Sequence, residues 1–153
     1  MKRSSGILVY KKDNDKIKVL LCHPGGPYWE NMFLHSWGIP KGELDKNEKG
    51  IDAAKREFKE ETNITIDDEL RYLYTKKVSN NKLVTIFFIE KNLDLKDCKS
   101  NTFTLEWPKG SNIIKEYPEN DKFEWIELDE AYDLIFKQQT IFLDKLKEKI
   151  NEV

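Results

Sequence analysis

The sequence predicts a mixed α/β fold in which one sheet is covered on two faces. β-rich runs stand on both sides of a short amphipathic segment, and the chain closes on a long apolar-periodic stretch. Its 153 residues suit a single domain, 1–153, with a real core. The charged fraction of 35% is high, but 12% aromatic residues and several apolar runs argue against disorder.

Gly6–Tyr10 (GILVY) and Ile17–Leu21 (IKVLL), separated by the polar KKDNDK, read as an opening hairpin. The segment from His23 to Glu43 holds four of the seven glycines and three of the five prolines, which predicts a loop without regular structure. It is unusually aromatic for a connector, with Tyr28, Trp29, Phe33 and Trp37. From Gly50 or Ile51 to Thr62, Ile51, Ala54 and Phe58 share one stripe at helical spacing. Arg71–Val78 and Lys82–Glu90 read as strands joined at Asn80-Asn81, and Thr102–Trp107 and Phe123–Ile126 as shorter ones. Asp129 to Lys149 carries the periodicity of terminal helices, broken near Gln138–Thr140. No repeat or low-complexity linker interrupts the chain.

With 26 basic and 28 acidic residues the net charge is −2, so no global basic field favours nucleic acid or a membrane surface, and neither is expected as a partner. A polyanionic ligand must be met by a local site. Only three of the basic residues are arginine (Arg3, Arg56 and Arg71), and an Arg among carboxylates asks for a geometric reason, because only guanidinium offers a planar fork of donors. Cys22 and Cys98 are too few and too distant for a zinc ribbon or disulfide framework, and Cys22 reads as a small core residue. There is no apolar run of membrane-spanning length and no signal-peptide core, which makes the cytoplasm the expected compartment.

The informative stretch is GELDKNEKGIDAAKREFKEETNI, Gly42 to Ile64. At about 100° per residue Glu57, Glu60 and Glu61 fall within an arc of roughly 100°, away from the apolar stripe. Like charges at this spacing repel by roughly 0.2–0.5 kcal/mol per pair. A divalent cation relieves that repulsion, and hard oxygen ligands on a rigid helix suit Mg²⁺ or Mn²⁺. Arg56 can bridge Glu48, just before the helix, to the cluster and hold the glutamates in place.

These residues resemble the signature of the Nudix hydrolases, G-x5-E-x7-R-E-U-x-E-E-x-G-U with U a bulky apolar residue. Gly42, Glu48, Arg56, Glu57, Phe58, Glu60, Glu61 and Ile64 stand in register. One position departs, with Asn63 in place of Gly. It follows the helix and is expected at positive φ, which Asn tolerates best among non-glycine residues.

The resemblance implies an α/β/α sandwich with a mixed β-sheet and a loop-helix-loop catalytic box. It also implies a metal set of Glu57, Glu60, Glu61 and the backbone carbonyl of Lys41, with Arg56 and Glu48 completing the catalytic group. Family members often draw a general base from a loop shortly before a tryptophan. Here Glu119, six residues before Trp125, is the candidate, with Glu116, Glu124, Glu57 and water on the metal as alternatives. SWGIPKGELDKNE looks like the approach to the box in dinucleoside polyphosphate hydrolases. HPGGPYW, SNTFTLEWPKGS, EYPENDKFEW and QQTIFLDKL are similar to a subgroup of predicted NTP pyrophosphohydrolases.

The implied substrate is a nucleoside diphosphate linked to another moiety, such as a dinucleoside polyphosphate or an NTP. Sanitising of modified nucleoside triphosphates and a non-catalytic nucleotide-binding regulator are the alternatives. Such a ligand needs stacking surfaces, for which Tyr28, Trp29 and Trp37 are candidates, and cations, for which Lys41, Lys109 and His35 are, beside the backbone at Gly42. His23 is a further candidate for phosphate contact. The expected assembly is a monomer or homodimer.

Overall fold

The computed structural model describes residues 1–151. Eight strands and three α-helices follow in the order β1 (Lys2–Asp13), β2 (Lys16–Pro24), β3 (Lys41–Glu43), α1 (Gly50–Thr62), β4 (Arg71–Ser79), β5 (Lys82–Glu90), β6 (Thr102–Glu106), β7 (Ile114–Pro118), β8 (Asn120–Glu127), α2 (Leu128–Leu134) and α3 (Thr140–Ile150). A 3₁₀ turn over Lys137–Gln139 separates α2 from α3, at the predicted break.

The main sheet has the order β4-β5-β1-β2-β8, with β3 also paired to β1. It is mixed, because β1 runs parallel to β5 and antiparallel to β2 and β3. Side-chain alternation builds the two layers. Ile7, Val9 and Leu20 point to one face, where they pack with Ala54 and Phe58 of α1 and with Ile66, Leu70 and Leu93. Leu8, Tyr10, Val19 and Leu21 point to the other face, against Ala131, Ile135, Phe142, Leu143 and Leu146 of the C-terminal segment. Both faces are covered, as the sequence predicts.

The segment from His23 to Glu43 is more regular than its glycine and proline content predicts. β2 continues to Pro24, Cys22 and Gly38 form an antiparallel bridge, and Lys41–Glu43 pairs with Ser4–Gly6. Gly6 makes this docking possible, since a Cβ there would collide with the Pro40 carbonyl and Lys41. β1 begins at Lys2 rather than Gly6 because its buried Ser4 and Ser5 carry no apolar signal. β7 has no counterpart in the sequence reading. With β6 it forms a two-stranded ribbon outside the main sheet, and most of its residues are exposed.

Candidate active site

Helix α1 lays Ala53, Ala54 and Phe58 into the core and so turns Glu57, Glu60 and Glu61 outward along one edge. It ends where Asn63 adopts the left-handed conformation, φ 67°, with its N–H donated to the Lys59 carbonyl at 2.8 Å. The signature's departure from glycine is accommodated as expected. Thr62 adds a hydroxyl donated to the Phe58 carbonyl at 2.7 Å.

Arg56 ties the box together. Its Nε and Nη2 donate to the two oxygens of Glu48, each at 2.9 Å, in a fork-to-fork pair. Nη1 donates to Glu57 Oε1 at 2.8 Å and reaches both oxygens of Glu60 at 3.3 Å. Nη2 also reaches the Glu43 carbonyl at 2.9 Å. All five donors of the guanidinium lie on three atoms, so the single cation orients three carboxylates and a backbone oxygen; a lysine has no such geometry. The hydrogen bonds from Arg56 and from the Asp45 N–H hold the Glu48 carboxyl down at about 2.

A cavity of about 580 Å³ opens over this helix edge, lined by Lys41, Gly42, Glu57, Glu60, Glu61 and Glu119 together with Glu43 and Asn101. A Cβ at Gly42 would displace the Glu57 carboxyl group from its place beside Arg56. Burial pushes the Glu61 carboxyl up to about 7, with the charges of Glu57 and Glu119 adding to the shift and the hydrogen bond from Asn120 opposing it. Burial raises Glu57 as well, against the pull of Arg56. Burial lowers the Lys41 ammonium, Lys82 reinforcing and Glu61 and Glu57 opposing.

Glu119 is carried to the cavity by its backbone. Its N–H donates to the Asn101 carbonyl at 2.8 Å, and its carbonyl accepts the Gly25 N–H at 2.9 Å. Asn101 in turn donates to the Glu60 carbonyl at 3.1 Å, so the loop before β8 is stitched to α1. Asn120, buried next to it, donates Nδ2 to Glu61. Sequence reasoning missed Asn120; only its place directly after Glu119 could have pointed to it. Glu116 on β7 and Glu124 on β8 are exposed and lie away from the cavity.

Several sequence-level expectations for ligand contact are corrected. Trp37 is 4% exposed within the core, bridged to Ile135, and its indole Nε1 is sealed without a partner; it presents no face for stacking. His35 sits at φ 53° with Nδ1 on the Ile135 carbonyl at 3.0 Å, a loop-fixing role away from the cavity. His23 is fully buried, with Nδ1 2.8 Å from Asp121 Oδ1 and Nε2 2.6 Å from the Met32 carbonyl, so it pins the aromatic loop to β8. Tyr28 is exposed and meets Trp29 edge-on, and neither lines the cavity. Lys109 lies in the exposed β6–β7 turn.

Among the described residues no three acidic, histidine or cysteine side chains form a ready coordination shell. The reason is visible, since Arg56 lies between Glu57 and Glu60 while Glu61 turns to Asn120. The donor chemistry nonetheless fits a hard divalent cation. Three glutamates share one cavity, Gly42 leaves Glu57 room, and every available ligand is oxygen.

A family model described as NUDIX domain matches residues 2–146. The chain belongs to the Nudix family. Its Nudix box is the Gly42–Ile64 segment, which brings Glu57, Glu60 and Glu61 to the cavity, and with its hydrolase-named relatives the chain is a pyrophosphohydrolase. The chain is 29% identical to the asymmetrical bis(5'-nucleosyl)-tetraphosphatase of Caenorhabditis elegans over 84% of its length and 81% of the relative's. It is 26% identical to an RNA pyrophosphohydrolase of Pelagibacter ubique, over the whole chain and 93% of that protein. The binary-complex crystal structure of a C. elegans Ap4A hydrolase has the same fold, with a TM-score of 0.68, 23% identity and 98% of each chain covered. No described helix is long and apolar enough to cross a membrane.

Proposed function

We propose that this Nudix chain is a Mg²⁺- or Mn²⁺-dependent hydrolase of nucleoside polyphosphates, with a dinucleoside polyphosphate as its leading substrate. The observation that carries the reading is one cavity in which Glu57, Glu60, Glu61, Glu119 and Lys41 meet. The names of the C. elegans and P. ubique relatives support the substrate class, since both act on nucleotide polyphosphate linkages. The compartment consistent with it is the cytoplasm.

Glu57, Glu60 and Glu61, with the Lys41 carbonyl, are the residues that would hold the cation. When bound, it supplies charge neutralisation for the phosphates and acidifies water. Glu119, exposed and held through its backbone, would accept a proton from the water that attacks phosphorus. The Lys41 ammonium offsets negative charge on the phosphate chain and so favours in-line attack. Arg56 and Glu48 hold the glutamates in position.

A substrate panel tests this reading. Dinucleoside polyphosphates, nucleoside triphosphates, ADP-ribose and coenzyme A are each incubated with the protein and Mg²⁺, and the products are resolved. Cleavage of the first two classes, lost on chelation, is expected. Retained nucleotide affinity with no hydrolysis of any would replace the reading with a binding regulator.

A further inference from the structure

A second, smaller cavity of about 120 Å³ adjoins the catalytic one, and the two share Lys41 and Glu61. Ile39, Pro40 and the ring of Phe136 line it, with the carboxamides of Asn120 and Gln139. An apolar, partly aromatic recess opening onto a phosphate-sized cavity is the shape a nucleotide requires.

Gln139, at the end of the 3₁₀ turn, is 6% exposed. Its Oε1 accepts the backbone N–H of Ile39 at 2.9 Å. That N–H can only donate, so the carboxamide has a single orientation, oxygen on Ile39 and nitrogen directed away. The Nε2 amino group has no partner in the described residues, and it is not sealed, since the sealed unpartnered side-chain atom is Trp37 Nε1. A Cβ at Gly38, which lines this cavity, would stand 3.4 Å from Nε2, so Nε2 lies on the Gly38 side of Gln139. A nine-tenths-buried group with two free donors therefore faces the recess. Leaving it dry and unpaired would be unfavourable, so it selects for a ligand with acceptors.

We propose that this recess is the subsite for the substrate's nucleobase, and that Gln139 makes it prefer a 6-oxopurine to a 6-aminopurine. The inference rests on the nucleoside polyphosphate reading above. A free glutamine reads adenine with both its oxygen and its nitrogen, the oxygen taking the N6 amino group and the nitrogen N7. Here the oxygen is already used by Ile39. What remains is a pair of donors, and O6 with N7 of a guanine-type base offers a matching pair of acceptors. An adenine-type base opposes its own amino group to one of those donors. The base's phosphates would then lie on the Lys41 and Glu61 side, in the large cavity.

The test uses GMP, IMP and AMP, which lack an anhydride bond, titrated into the Mg²⁺-loaded wild-type protein and followed by NMR. GMP and IMP are expected to bind about tenfold more tightly than AMP. Equal affinities would overturn the inference, as would IMP behaving like AMP, because the two differ at position 6. Gln139→Glu keeps an acceptor for Ile39 N–H while replacing the donors, and is expected to bring the GMP-to-AMP affinity ratio to one or below; an unchanged ratio would also overturn it. Gln139→Met, which removes the donors without adding charge, should erase the preference if the glutamate variant does not fold. Binding of none of the three nucleotides would overturn the recess as base subsite, whereas loss of the hydrolytic reading shows separately as no cleavage in the substrate panel.

Discussion

At the residue scale, roles separate by what each side chain touches. Glu119 enters the cavity without helping to hold the fold through its side chain, so Glu119→Gln is expected to lower kcat by ~10²–10⁴-fold with KM and thermal stability nearly unchanged. A wild-type rate would remove it as the base. Arg56 acts at one remove, and Arg56→Lys keeps the charge but loses the fork. Steady-state kinetics with varied Mg²⁺ should show metal affinity or turnover weakened roughly 10–100-fold. The three arginines in the sequence made this residue legible, as did the spacing of the glutamates. Asn120 and Gln139 were not legible, because a carboxamide has no period and no charge, and its meaning depends on which backbone group uses up one of its ends. Trp37 was misread for a related reason, since an aromatic in a Gly/Pro-rich segment looks exposed until the segment is seen to pair with β2 and α2.

At the scale of elements, α1 is anchored by Phe58, fully buried between the helix and β1–β2. Phe58→Ala is expected to cost about 3–5 kcal/mol in chemical denaturation and to loosen the carboxylate array with it. Asn63 carries the opposite expectation. Asn63→Gly should be neutral or slightly stabilising, whereas Asn63→Ala should destabilise by ~1 kcal/mol, because only the alanine strains the left-handed φ. A loss of several kcal/mol in the glycine variant would show that its side chain matters more than its backbone. β1 and β2, buried on both faces, could be read from sequence as continuous β-rich runs and β5 as an alternating one, while the exposed β6–β7 ribbon lacks a buried face to impose a period and half of it escaped.

At the scale of the whole molecule, near-neutral net charge conceals a strong local separation of charge. The Arg56–Glu48 pair links this to acid stability. The Glu48 carboxyl is depressed to about 2, below the roughly 4.3 of an unfolded glutamate. Its contribution is therefore fully present above about pH 4 and is lost as pH falls through the window toward 2. Wild type should lose thermal stability in that window more steeply than Glu48→Gln, and parallel curves would contradict the assignment. The two-sided sheet and the box were both legible because each rests on a repeated pattern. The recess beside the box was not, because Cys22, Gly38, Pro40, Asn120 and Gln139 are brought to it from four distant parts of the chain.

Whether the carboxylates of α1 carry metal-dependent hydrolysis is read from ³¹P NMR of a dinucleoside tetraphosphate. Wild-type protein with Mg²⁺ should convert the substrate to new phosphate resonances, while Glu60→Gln and Glu61→Gln, folded by circular dichroism, should leave it intact. Unchanged turnover in either variant, or cleavage that persists after chelation, would show that these carboxylates do not carry metal-dependent hydrolysis.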